Sequence, residues 1–236
     1  GDFINCENAG ITGISFDGGY AEYMVAPQSA IADVPESLSS AKAAPLLCAG
    51  ITTYNALRNS NLQPGNLVAV QGIGGLGHLG LQYAKEFGCE VVALSRGPDK
   101  EEMAKELGAD HYIDTQANDA SEELQKLGGA KVILATAPSS KAISSVVDGL
   151  GIDGTLLVVG AVADNMEISP FQLIMGRKSV KGWPSGTAKD SEDTLNFSAL
   201  TDITPKIETF PLEEANEAYE TMINNEARFR VVLQVA

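Results

Sequence analysis

Short apolar runs recur through the middle of the chain, at 67–71, 90–94, 111–113, 131–135 and 155–159. Between them lie 78–87, 99–107, 119–127 and 140–150, each joining an apolar stripe to polar or charged residues. Apolar strands alternating with amphipathic helices are what a parallel sheet covered on both faces requires. A further strand is expected at 179–183, after a longer excursion containing Pro170. The pattern predicts a doubly wound α/β unit.

The flanks read differently. Residues 19–27, with alternating tyrosines and a methionine, predict a strand, and 37–59 predict a helix divided by Pro45. After residue 186 the chain predicts a helix to about 200, an extended run at 206–210, a helix ending near 224 and a closing strand at 228–235. Each flank is too small for a core of its own, so the two are expected to pack together as a second domain interrupted by the α/β unit.

Composition narrows the partners. The chain has 236 residues, 44% hydrophobic and 20% charged, as in an ordinary globular protein. Its 31 acidic against 16 basic residues give a net charge of −15, a field that repels phosphate backbones and anionic lipid. Neither nucleic acid nor a membrane is expected as a partner. Three cysteines, Cys6, Cys48 and Cys89, cannot all pair with one another. With no signal-peptide succession, a cytoplasmic location is expected.

The chemistry begins at Gly72-Ile73-Gly74-Gly75-Leu76-Gly77, which follows one expected strand and opens the next helix. In that setting Gly72 permits a tight turn, Gly74 lets backbone approach a pyrophosphate, and Gly77 lets helix and strand pack closely. The helix N-terminus supplies free N–H donors for the phosphates. Without a ligand the same letters are a glycine-rich βα turn. An NAD site would place a carboxylate about 20 residues further on, to accept from the ribose 2′-hydroxyl. Here stand Ser95 and Arg96, with Lys100 in the following helix. A serine can donate to a 2′-phosphate and the cations can pair with it, so NADP is expected over NAD. The alternative is that Arg96 and Lys100 balance the acidic helix beside them. Cys48, between leucine and alanine, reads by itself as an inert buried thiol.

Several segments together resemble the zinc-dependent medium-chain alcohol dehydrogenases, in particular their cinnamyl-alcohol and broad-specificity aldehyde-reducing branch. They are Phe16-Asp17-Gly18-Gly19-Tyr20-Ala21-Glu22-Tyr23, the stretch 44–54 around Leu47-Cys48-Ala49-Gly50, the glycine turn with Gln82-Tyr83-Ala84-Lys85, Leu107-Gly108-Ala109-Asp110, and 210–219. The resemblance implies a Rossmann unit with a six-stranded parallel sheet at 48–186, and pieces of a GroES-like β-rich catalytic domain at 1–47 and 187–236.

It also implies roles. Cys48 matches a catalytic zinc ligand, and Cys6 the last cysteine of a structural zinc lobe. The other two catalytic ligands have no counterpart, nor does the family's acid–base relay, so the chain is expected to be an N-terminally shortened form, inactive and without stoichiometric zinc. His78 and His111 are read as a helix cap and as packing in a buried strand. Thr52 and Leu76 are placed beside the nicotinamide, Gly160 and Ala161 on its other flank, Thr136 at the cofactor's middle and Arg230 at the pyrophosphate. The implied substrate is a small alcohol or aldehyde, and the edge strand at 179–183 implies a homodimer. Two alternatives remain: a zinc-free NADPH quinone or enoyl reductase on the same fold, and a cofactor-binding remnant without turnover.

Overall fold

The computed structural model describes residues 5–8 and 10–235. In chain order its elements are α1 (Ser40–Pro45), a wide π-turn (Leu46–Gly50), α2 (Ile51–Arg58), β1 (Leu67–Gln71), α3 (Gly77–Glu86), β2 (Glu90–Ser95), α4 (Glu101–Glu106), β3 (His111–Asp114) and α5 (Ala120–Lys126). They continue with β4 (Ala130–Ala135), α6 (Ser140–Ser145), β5 (Leu150–Val158), α7 (Pro170–Ile174), β6 (Ser179–Gly182), α8 (Ala188–Leu200), β7 (Ile207–Pro211), α9 (Ala215–Ile223) and β8 (Arg230–Gln234). The chain divides into two compact units, one of residues 52–184 and one of 1–51 with 185–236.

The first unit is a six-stranded sheet, ordered β3-β2-β1-β4-β5-β6 and parallel throughout. This is the doubly wound order, in which the direction of winding reverses between β1 and β4. Those two strands are buried almost end to end, which explains their unbroken apolar lettering. The core gathers Ala69, Leu94, Ile133, Ile143, Val147 and Leu156 beneath the helices. Helix α3 lies close over the sheet because Gly80 has no side chain: a Cβ there would come 2.7 Å from Leu134 Cδ2. Asp119 caps α5 by accepting from the Ser121 and Glu122 amides, which fixes where that helix starts.

The second unit holds α1, the π-turn, α8, α9 and the parallel pair β7–β8. Thr187 and Asp190 form a capping box that starts α8. Leu46, Ala49, Leu195, Ile203 and Val232 are buried in this unit.

Four expectations are corrected. No strand forms at 19–27; the segment has no ladder partner, and Tyr20, Tyr23 and Val25 stand exposed. Pro45 ends α1 as expected, but the chain stays coiled beyond it, through the wide turn and into α2, rather than breaking. The helix begun at Ser140 ends at Ser145, and β5 starts at Leu150, since Gly149 is pressed against Leu124 with no room for a Cβ. His111 is not in a buried strand: β3 is a sheet edge, and the ring is part-exposed with Nε2 2.7 Å from Glu90 Oε1. The short helix α7 went unread, although Ser169, Pro170 and Gln172 supply its cap, its first turn and its capping box.

Candidate nucleotide site at the sheet edge

The carboxyl ends of β1, β2, β4 and β5 carry Gly72, Ser95, Thr136 and, just beyond Val158, Gly160. The topology thus collects residues from four distant parts of the sequence along one edge, at the switch point where an α/β sheet leaves a crevice. Gly72 has φ +91, which a side chain would strain. A Cβ on Gly77 would lie 1.7 Å from the Gly72 carbonyl oxygen, so the start of α3 can seat only glycine. At Gly74 a Cβ would meet nothing within 4 Å. That open face is where backbone can be approached by a ligand.

No backbone carbonyl among the described residues accepts from the amides of Gly74, Gly75, Leu76 or Gly77. With the dipole of a ten-residue helix behind them, these N–H groups form a donor array for an anion. The turn is braced from several sides. The buried His78 ring places Nδ1 2.9 Å from Gly74 O. Thr136 Oγ1 donates to Gln71 O at 2.8 Å and Gly72 O at 3.1 Å, tying β4 to the turn. Lys100 Nζ donates to Ile73 O at 2.7 Å, so its ammonium is bound to the glycine turn itself. Gln71 Nε2 donates to Ala142 O, while its buried Oε1 has no partner.

At the end of β2, Ser95 is buried and Arg96 exposed, with no ion pair to Arg96 among the described residues. The turn they belong to is held from β3. Gly97 N donates to Asp114 Oδ1 at 2.7 Å and Tyr112 Oη donates to Gly97 O at 2.5 Å. Burial raises the Tyr112 phenol above its ordinary value, so it stays a donor. Neither Tyr112 nor Asp114 was legible as a site residue, because only the strand register brings them beside Ser95. Gly160 is held close to the 136–137 backbone, where a Cβ would come 3.0 Å from Ala137 O, and Ala161 is exposed. Thr52 is half-buried on α2.

The remaining candidates lie in the other unit. Cys48 is exposed rather than an inert buried thiol, and Arg230 directs a guanidinium N–H at its sulfur, 3.6 Å away. Cys6 is exposed, and residues 1–4 before it lie outside the described residues. Among the described residues no three His, Cys, Asp or Glu side chains come together as a metal site. Zinc needs at least three protein donors, and the described residues around Cys48 do not assemble such a set. Cys89 is buried, which raises its thiol pKa and marks it as packing. No helix among the described residues is long and apolar enough to cross a membrane.

Known proteins resemble the chain in sequence and in fold. Residues 75–200 match the family described as zinc-binding dehydrogenase. The chain is 48% identical to the alcohol dehydrogenase patD of Penicillium expansum, over 99% of this chain and 68% of that protein. An alcohol dehydrogenase from Aeropyrum pernix superimposes with a TM-score of 0.88 at 28% identity, covering 98% of this chain and 69% of that one. A cinnamyl alcohol dehydrogenase of Sorghum bicolor gives 0.77 at 32% identity, covering 86% of this chain and 57% of that one. The chain therefore spans about two thirds of the length of the Penicillium relative.

Proposed function

The chain belongs to the zinc-binding dehydrogenase family, and from that premise we propose that it is the NADP(H)-holding part of an alcohol dehydrogenase or aldehyde reductase. Residues 48–186 are assigned to cofactor binding, and 1–47 with 187–236 to the catalytic domain. The observation that carries the reading is the Gly72–Gly77 turn, with its unaccepted amides at the switch point and the exposed Arg96 one strand away.

Gly74 and the amides after it receive the pyrophosphate, and Gly72 and Gly77 shape the turn that presents them. Arg96 pairs with the 2′-phosphate, with Ser95 and Lys100 beside it. Lys100 also holds the glycine turn through Ile73 O. Thr136, Gly160, Ala161, Leu76 and Thr52 line the path towards the nicotinamide, and Arg230 is assigned to the pyrophosphate. The bound nicotinamide supplies the hydride chemistry. No step is assigned to zinc, since the donors around Cys48 do not fit it, and alcohol oxidation through a metal is not expected of these 236 residues alone. Two copies are assigned to pair through the β6 edge. A zinc-free reductase on the same fold is the second reading, favoured by that incomplete donor set; stoichiometric zinc in the purified protein would exclude it.

Titration of NADPH and NADH by nicotinamide fluorescence tests the assignment. NADPH is expected to bind more tightly. A charge-assisted contact contributes about 1.5–3 kcal/mol, so Arg96→Asp should abolish or invert the preference. Equal affinities in the unsubstituted chain overturn it.

A further inference from the structure

The turn that ends β2 is held at both ends by β3. Gly97 is engaged at both of its backbone polar groups, its N–H by Asp114 Oδ1 at 2.7 Å and its C=O by Tyr112 Oη at 2.5 Å. The same Asp114 oxygen accepts from Gln116 N at 2.9 Å, and Gly97 has φ +72, so the turn is fixed in a conformation that suits glycine. The Ser95 carbonyl accepts from the Thr115 amide at 2.9 Å and the Thr115 hydroxyl at 3.2 Å, also from the β3 side. The register explains the reach: Tyr112 pairs with Ala93, two residues before Ser95 and on the same face of the sheet. Ser95 and Gly97 are thereby pinned, and the residue between them is Arg96, exposed and without an ion pair among the described residues.

We infer that Tyr112 and Asp114 are positioning residues for nucleotide selection, setting the turn from which Arg96 meets the phosphate on the adenosine ribose. The inference rests on the cofactor reading above and adds to it the origin of the selectivity. A free arginine side chain loses rotamer and backbone freedom on binding, and a turn fixed beforehand leaves less to lose. The aim of Arg96 therefore depends on two residues of the neighbouring strand, neither of which need touch the nucleotide. Asp114 belongs to this device as an acceptor of amides rather than as a charge. An asparagine, which keeps a side-chain oxygen, should replace it, and an alanine should not.

The test measures Kd for NADPH and for NADH in the full chain and in Tyr112→Phe, Asp114→Ala, Asp114→Asn and Arg96→Ala, with the thermal midpoint of each variant. Losing one positioning hydrogen bond should reduce the NADH-to-NADPH Kd ratio about fivefold in Tyr112→Phe and in Asp114→Ala. Asp114→Asn should keep the parent ratio. In the Arg96→Ala background, Tyr112→Phe should leave the ratio unchanged, because its effect runs through Arg96. A ratio unaltered in both Tyr112→Phe and Asp114→Ala, whatever their midpoints, overturns the inference. So does an Asp114→Asn variant that behaves as Asp114→Ala does. If the parent chain shows no preference, the NADP reading fails separately. The positioning claim is then read from the NADPH Kd alone, which must weaken in Asp114→Ala and recover in Asp114→Asn. Should Asp114→Ala fail to fold, Tyr112→Phe decides, since it removes one oxygen and leaves the ring packed.

Discussion

The sheet unit and the unit formed by the two flanks handle their chemistry in opposite ways. At the sheet edge several candidate residues are braced by neighbours within the same unit: Thr136 by the Gln71 and Gly72 carbonyls, Lys100 by Ile73, and the turn around Arg96 by Tyr112 and Asp114. In the flanking unit Cys48 is exposed and accepts from the Arg230 guanidinium, and large apolar side chains stand in water, among them Tyr23 at 90% and Val25 at 98% exposure. The groups proposed here to meet the nucleotide phosphates, Arg230 apart, are positioned by the folding of the sheet unit itself. A metal site needs several donors at fixed distances, and a single cysteine on a part-covered unit does not meet that demand.

The largest effect should separate the units by stability. Leu134, fully buried on β4 beneath Gly80, should cost about 2–5 kcal/mol on truncation to alanine. Val25→Ala should stay within about 0.5 kcal/mol, as for a surface position. Urea unfolding of both variants measures this, and equal losses would erase the distinction. Next in size is Thr136→Val, which removes the hydroxyl that serves two carbonyls of the glycine turn. It should destabilise by about 1–3 kcal/mol and weaken nucleotide binding, since a carbonyl left without its donor bears the desolvation cost. Calorimetry of this variant beside the parent is the check.

The smallest effect lies at the opposite edge of the same sheet. Burial acts to raise the Asp110 pKa, but hydrogen bonds from Lys85 and the Val91 amide outweigh it and hold the carboxyl below its usual range. The folded-state pKa is thus below the unfolded one. Its stabilisation is complete above the unfolded pKa near 4 and is lost as pH falls through the folded value. The pair is part-exposed, so the contribution should not exceed about 1 kcal/mol. Asp110→Asn should cost up to that share of stability at pH 7 and little below the folded pKa, so that a pH series of unfolding midpoints shows a correspondingly smaller loss on the acid side.

Much of the sheet unit could be read from the letters because β1, β2 and β4 are predominantly apolar and α5 and α6 begin on side-chain caps. Strands β1, β2 and β4 start and stop within a residue of their apolar runs. The glycine turn was legible for a different reason: its first and last glycines answer steric demands, φ +91 at Gly72 and a 1.7 Å approach at Gly77. What escaped was decided across the sheet. Whether 19–27 becomes a strand depends on a partner that the alternation of its residues cannot supply. The exposure of His111 depends on β3 lying at an edge. Tyr112 and Asp114 act on a turn 15 and 17 residues earlier in sequence, through pairing that no local pattern encodes.

The central claim is that the glycine turn at the sheet edge carries a nucleotide site, and isothermal titration of the 236-residue chain with NADPH tests it most directly. One saturable site per chain is expected. In Gly77→Ala the added methyl would press on the Gly72 carbonyl and displace the amides, so affinity should fall by about a hundredfold. The variant's far-ultraviolet circular dichroism should remain that of the parent, showing that the sheet has folded. Absence of saturable binding in the parent, or undiminished binding in a folded Gly77→Ala variant, would contradict the account.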